Sequence, residues 1–308
     1  MDNKPNNQPL VSVIMNCFNG EDYLHESINS VLHQTYKNWE LIFWDNRSLD
    51  RSAEIFKSFS DKRLKYFYAN KHTPLYEARN LAIEKSQGGF ISFLDTDDLW
   101  MSKKLEIQME YFKNLDVGVV FSNLWMLKKN ENKKKLYIKN KMPRGRIYEE
   151  LIANYNVGIL TTVIRKSFYL QLKKKFDERF SIIGDFDLFL RLSKLCSFES
   201  IQEPLASYRL HGKNLSSINK EKEIEEFETW ISENMLNLNQ NQITKLKKNV
   251  NYRKFVNCKI DGKYKECFSM LINSKFSIFN LKNLILFITP IVILKKVLWY
   301  HLNYNDFN

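Results

Sequence analysis

The chain has 308 residues, enough for one large domain or a domain with an appendage; 44% are hydrophobic and 14% aromatic, which excludes global disorder. Forty-seven lysines and arginines stand against 35 aspartates and glutamates, a formal charge of +12. Such a balance favours phosphates, acidic glycans or an anionic membrane as partners, and no nucleic-acid motif accompanies it, so nucleic acid is not expected.

The four cysteines, Cys17, Cys196, Cys258 and Cys267, are too scattered for a zinc site or a disulfide framework and are expected to be reduced core thiols. The opening MDNKPNNQPL lacks a basic stretch followed by an apolar run, so secretion is not expected.

Strand-like and helix-like segments alternate through the first part. Val11 to Met15 is a short apolar run, and apolar residues then recur at Tyr23, Leu24, Ile28, Val31 and Leu32 with helical spacing. Glu40 to Trp44 reads as a second buried strand, 49–59 as a helix and Leu64 to Tyr68 as a third strand. The segment 76–86 is a helix stopped by Gly88 and Gly89, Phe90 to Leu94 a fourth strand, and Val117 to Phe121 a fifth. Ser102 is placed to cap a helix running to about Lys113. The fold expected is α/β, a Rossmann-like and mainly parallel central sheet with flanking helices. On such sheets ligands bind beyond the carboxyl ends of the strands, which is where Asn16 to Asn19, Asp45-Asn46 and Asp95 to Asp98 fall.

Residues 128–146 form a basic stretch, read as a solvated hairpin or loop. From Glu221 the chain turns helical and polar, which divides it into a domain at 1–220 and a helical C-terminal region at 221–308. Within that region, 284–294 (LILFITPIVIL) is apolar for about eleven residues, bracketed by Lys282 and by Lys295-Lys296, with Trp299 and Tyr300 beyond. A bilayer span needs about twenty residues. The segment is instead placed either in the membrane surface or in a buried terminal helix.

The strongest chemical signal is LDTDDLW at 94–100. Three carboxylates in four residues at the end of a buried strand repel one another, and a divalent cation relieves that. Hard cations such as Mg²⁺ or Mn²⁺ are held by one or two carboxylates together with substrate phosphates. A second acidic cluster is Asp185 and Asp187, in GDFDL.

Several motifs in order resemble the family 2 glycosyltransferases, whose fold is GT-A. They are VSVIMNCFNGEDYLHESINSVLHQTYKNWELIFWDNRSLD, Ala78-Arg79-Asn80, LDTDDLW, GDFDL with Leu190-Arg191-Leu192, and Tyr208-Arg209-Leu210-His211. The resemblance covers about the first 215 residues. It implies a nucleotide-sugar donor, with Asn16, Cys17, Asn19, Glu21 and Asn70 around the nucleoside. Asp45 resembles the acceptor of a uracil imide N–H, or else caps the turn Asp-Asn-Arg-Ser. Arg79 is implied to reach the donor, Asp95 and Thr96 to contact ribose or order the turn, Asp97 to ligate the metal, and Asp98 to support it. His211 is implied either to complete the metal shell or to contact the diphosphate, with Arg209 nearby. Asp185 is implied to be the general base, and Asp187 to be structural. Two departures stand out: Asn16 replaces a proline, and Gly184 replaces a glutamate before Asp185. Trp100 is read either as a sugar-stacking face or as core.

The reaction so implied is a single displacement with inversion at the anomeric carbon. It moves a sugar from a UDP-sugar donor to a hydroxyl of a glycan or lipid-linked saccharide, as in surface polysaccharide assembly. The expected place is the cytoplasmic face of the membrane, as a peripheral protein. A metal-dependent nucleotidyltransferase would use the aspartates but leaves Asp45, Arg79 and Asp185 unexplained. A non-catalytic glycan- or membrane-binding protein has only the Asn16 and Gly184 departures in its favour.

Overall fold

The computed structural model describes residues 8–128, 133–273 and 278–293. The chain alternates through β1 (Val11–Cys17), α1 (Glu21–Leu32), β2 (Trp39–Asp45), α2 (Ser52–Lys57), β3 (Leu64–Tyr68), α3 (Leu75–Glu84) and β4 (Phe90–Phe93). β1 pairs in parallel with β2 and with β4, and β2 with β3. β2 and β4 are buried along their whole length and β1 at all but Asn16, as apolar strands sheathed on both faces must be. α1 turns Leu24, Ser27, Ile28 and Val31 inward at helical spacing.

The chain continues through β5 (Leu99–Trp100), α4 (Lys104–Tyr111), β6 (Val117–Lys128), β7 (Lys133–Leu136), α5 (Tyr148–Ala153), β8 (Val163–Arg165), α6 (Lys166–Gln171), α7 (Gly184–Ser193) and β9 (Ser197–Leu210). The strand order is β3-β2-β1-β4-β8-β6-β9-β5, with β7 on β6. β8 runs antiparallel to β4 and β6, β9 runs parallel to β6, and β5 lies antiparallel on β9. This is the mixed, mainly parallel α/β sheet with flanking helices that was expected. Because β1, β2 and β4 are parallel, their carboxyl ends deliver Asn16, Asp45 and Asp95 to one edge.

Local details differ from the sequence reading. The helix expected over 49–59 is only Ser52–Lys57, because Asp50 is held in the loop before it, its carboxylate accepting the N–H groups of Glu21 and Ser52. Ser102 caps nothing. α4 starts two residues later with no side-chain cap, and the Ser102 carbonyl instead accepts the Thr35 N–H. β6 runs on to Lys128, seven residues past the expected end, and the basic stretch folds back on it as β7.

Lys104 is wholly buried, with Nζ 2.7 Å from Gln108 Oε1, 3.2 Å from Ser92 Oγ and 4.1 Å from the Trp100 ring centroid. Burial pushes its ammonium well below the usual lysine range. Unfolding below the ordinary value of about 10.4 therefore takes up a proton, so this residue adds stability as pH rises toward that value and withdraws it as pH falls. Lys104→Met is expected to flatten the alkaline rise of the melting temperature by about 2–4 °C. Parallel wild-type and variant melting curves between neutral and alkaline pH would contradict this.

By chain contacts the protein divides into two compact units, 1–148 with 156–210, and 149–155 with 211–308. The second begins ten residues before the break read at Glu221 and takes in part of α5. It contains α8 (Leu215–Ile218), α9 (Lys220–Asn234), α10 (Gln240–Ile260), α11 (Tyr264–Asn273) and α12 (Ile278–Ile288). Asn239 and Gln242 form a capping box at the start of α10. Phe255, Val256, Cys267 and Leu286 make a core among α10, α11 and α12. α12 ends before Pro290, which has no N–H to continue it, so the apolar run 284–294 is not one helix. Lys295, Lys296, Trp299 and Tyr300 lie outside the described residues. Among the described residues no helix is long and apolar enough to cross a membrane.

Candidate active site

Beyond β4, residues 95–98 turn sharply, the Asp98 N–H donating to the Asp95 carbonyl at 3.2 Å. Two elements hold this turn. From α1, the Ser27 hydroxyl lies 2.7 Å from the carbonyl oxygens of both Thr96 and Asp98. From β9, Arg209 donates its backbone N–H to Asp98 Oδ1 (2.9 Å), Nε to the Asp97 carbonyl (2.9 Å) and a terminal nitrogen to Glu26 (2.8 Å). Its guanidinium also lies over Tyr23, so the Arg209 read from sequence as a donor contact here pins the acidic turn to α1. Gly20 completes the fit, since a Cβ there would come 2.7 Å from Thr96 Oγ1.

Asp98 is fully buried and its Oδ2 has no hydrogen-bond partner. Burial, then the charges of Asp97 and Asp95, push its carboxyl well above the usual range, against the Arg209 N–H that favours ionisation. Asp95, Thr96 and Asp97 are partly exposed.

Arg79 joins the two acidic clusters. Its buried guanidinium donates to Asp95 Oδ1 at 2.9 Å and lies 5.4 Å from the centre of the Tyr76 ring. Burial alone would loosen its proton, but Asp95, Tyr76 and Asp185 more than compensate, so it stays charged. The Tyr76 hydroxyl donates to the Ile182 carbonyl at 2.8 Å and stands 3.4 Å from Asp185 Oδ1. Asp185 lies in the first turn of α7, where the positive end of the helix favours a carboxylate, and its Oδ1 accepts the Phe186 N–H at 2.8 Å. Asp187 is buried and paired with Arg191 one turn on at 2.6 Å, the structural part expected of it.

At the ends of β1 and β2, Asn16 stands in register with Trp44. Neither atom of the Asn16 amide, nor Trp44 Nε1, has a hydrogen-bond partner although all are buried. Buried polar groups are rarely left so, which marks the place as one a ligand or water would complete. Cys17 is buried, its thiol pushed up by burial, with Sγ 3.7 Å from Ser48 Oγ. Asn19 takes a left-handed φ of 54°, and its side chain accepts the Leu49 N–H. Glu21 turns its carboxylate to Arg51, 3.2 Å away. Asp45 is completely enclosed, its Oδ1 accepting the Ser48 N–H (2.8 Å) and its Oδ2 the Tyr66 hydroxyl (2.6 Å). Burial, then Asp45, push that tyrosine's ionisation upward. The turn cap is thus what the geometry displays, and a uracil contact would have to use the remaining lone pairs. Asn70 is exposed beyond β3.

Trp100 is core: it is buried, Nε1 donating to the Leu160 carbonyl, which removes it as a sugar platform. His211 opens the second unit, where Asn214 Oδ1 accepts its backbone N–H at 3.1 Å. Ser27, Glu26 and Tyr76 were not singled out from sequence. Ser27 alone left a trace there, as a hydroxyl on the buried stripe of α1.

The donor set suits a hard divalent cation bound partly by substrate. Among the described residues no three His, Cys, Asp or Glu side chains are grouped to cage a metal, and a cation shared with a diphosphate needs only one or two carboxylates. Asp97 is partly exposed in this turn of concentrated negative charge.

A family model, Glycosyl transferase family 2, matches residues 12–191. The chain is 33% identical over 217 residues to the Escherichia coli UDP-Glc:alpha-D-GlcNAc-diphosphoundecaprenol beta-1,3-glucosyltransferase WfgD, covering 70% of this chain and 82% of that one. To the putative teichuronic acid biosynthesis glycosyltransferase TuaG of Bacillus subtilis it is 30% identical over 215 residues, covering 68% and 82%. Among solved structures, S. aureus TarS 1-349 in complex with UDP-GlcNAc superposes with a TM-score of 0.61 at 18% identity, covering 80% of this chain and 72% of that one. The mannosyltransferase PcManGT from Pyrobaculum calidifontis, in complex with GDP-Man and Mn2+, gives 0.54 at 14% identity, covering 74% and 66%. The chain belongs to glycosyl transferase family 2 and has the fold of these enzymes. It is a glycosyltransferase.

Proposed function

We propose that the chain is an inverting glycosyltransferase that moves a sugar from a UDP-sugar to a hydroxyl of a glycan or lipid-linked saccharide in surface polysaccharide or glycoconjugate synthesis. The observation that carries this reading is Arg79, which holds Asp95 of the first acidic cluster and shares Tyr76 with Asp185 of the second. The relatives agree in chemistry: WfgD is named for a UDP-Glc donor and a diphosphoundecaprenol acceptor, and TarS was crystallised with UDP-GlcNAc.

In this reading the nucleoside lies at the ends of β1 and β2, where the open Asn16 amide supplies a donor and an acceptor and Asp45 meets the uracil imide. Cys17, Asn19, Glu21 and Asn70 line the same edge, and Arg79, Asp95 and Thr96 fix the donor beyond it. Asp97 would hold Mn²⁺ or Mg²⁺, which when bound would supply positive charge against the departing diphosphate. Asp185 takes the proton of the acceptor hydroxyl as it attacks the anomeric carbon, and with no covalent intermediate the product is inverted. Arg209 keeps the acidic turn in place.

The test is a melting screen of UDP-, GDP- and TDP-sugars with and without Mn²⁺ or Mg²⁺. Saturating UDP-sugar with metal is expected to stabilise the protein by about 2–4 kcal/mol, and the purine nucleotides much less. Equal stabilisation by GDP-sugars would remove the uridine assignment; no nucleotide effect at all would remove the nucleotide-sugar site drawn here.

Peripheral contact with an anionic membrane on its cytoplasmic face belongs to the same proposal. From Gln240 onward there are twelve lysines and arginines against three carboxylates. Tyr264, Phe268 and Ile272 recur every fourth residue on α11 as exposed side chains, and Leu284, Ile285 and Ile288 are exposed on α12. Paired changes Phe268→Ser and Ile288→Ser are expected to lower partition into vesicles containing anionic lipid by about tenfold or more. Undiminished sedimentation with the vesicles would rule this surface out.

A further inference from the structure

Gly184 is where the family resemblance places a glutamate, and the structure shows what fills the space. A Cβ at Gly184 would lie 2.5, 2.6 and 2.8 Å from Cε2, Cδ2 and Cγ of Tyr76, so the tyrosine ring presses directly on the backbone that precedes Asp185. Tyr76 comes from α3, a hundred residues earlier, and is itself buried, stacked on Phe176 with ring centres 5.2 Å apart. Its hydroxyl donates to the carbonyl of Ile182 and reaches toward Asp185 Oδ1. One side chain thus meets the carbonyl of residue 182, the Cα of 184 and the carboxylate of 185. One turn further along α3, Arg79 grips Asp95.

We infer that Tyr76 is a positioning residue for Asp185: it occupies the volume vacated at Gly184 and sets the orientation of the carboxylate relative to the arginine that holds the donor turn. The inference rests on the proposed role of Asp185 as base. Proton abstraction demands a carboxylate held within a fraction of an ångström, and a helix start with a glycine in its first position has no side chain of its own to do this. The ring supplies the stop against which α7 begins, and the hydroxyl ties down the loop leading into it. At 3.4 Å the contact to Asp185 is long for an O–H···O bond, so the strong hydroxyl bond is to Ile182 and the carboxylate is steered through the backbone.

The experiment uses the full chain and separates kcat from KM for variants whose melting curves show a folded protein. Tyr76→Phe and Tyr76→Ala are expected to lower kcat by about 10- to 100-fold while donor KM changes by less than about threefold, because misplacing a reacting group costs rate and not donor binding. Gly184→Ala is expected to do the same alone but to cost much less in a Tyr76→Ala background, where the ring it strikes is gone. Additive losses, or wild-type kcat in both tyrosine variants with only a lower melting temperature, would overturn the inference. Asp185→Asn, measured alongside, tells the two failures apart. If it keeps activity, the base assignment has failed; if it is inactive while both tyrosine variants turn over normally, only the role of Tyr76 has.

Discussion

Replacing Asp185 by asparagine is expected to lower kcat by about 10²- to 10⁴-fold, the range for loss of a general base. Donor binding should stay near that of the wild type. Asparagine keeps the shape of the side chain and its oxygen still accepts the Phe186 N–H, so the start of α7 has no reason to unfold. What disappears is the lone pair that takes a proton. Donor-dependent melting shifts together with single-turnover transfer would measure both halves. A variant that transfers sugar at the wild-type rate would end the assignment.

Asp97→Asn is expected to act on the other half of the site. The turn is held by Arg209 Nε on the Asp97 carbonyl, by Ser27 on the carbonyls of Thr96 and Asp98, and by the carboxylates of Asp95 and Asp98 on Arg79 and the Arg209 N–H. The side chain can therefore change while the turn persists. Mn²⁺ or Mg²⁺ should no longer enhance stabilisation by the UDP-sugar, and kcat/KM should fall by about 10³-fold, the equivalent of several kcal/mol of charge stabilisation. Metal-dependent stabilisation that survived in Asp97→Asn would move the cation to another ligand.

Much of the fold was readable because the signals are local. VSVIM, ELIFW and FISFL are strands since only a doubly covered sheet tolerates such runs, and the helices between them repeat apolar residues on one face. The acidic turn was conspicuous because its three carboxylates follow directly on a buried apolar strand and do not stand in a solvated loop. Less legible were features that depend on partners far along the chain. Whether Trp100 is a sugar platform or core was open until the contacts of Leu160 and Lys104 showed it enclosed. That Arg209 binds the Asp97 carbonyl and Glu26 could not be read from its motif, because both partners lie more than a hundred residues earlier in the chain. Ser102 has a capping side chain, yet α4 starts beyond it.

By itself the sequence determined the α/β class, the family and the two acidic clusters, since hydrophobic periodicity and short motifs are written within a few residues of one another. Only the tertiary structure decided how those clusters are joined. Arg79 to Asp95, Tyr76 to Asp185, Ser27 to the acidic turn and Gly184 against an aromatic ring are all meetings of segments from 16 to 109 residues apart. Such meetings leave no periodic trace, because they are created by the packing of α1, α3 and α7 around the sheet and not by the preferences of any one segment.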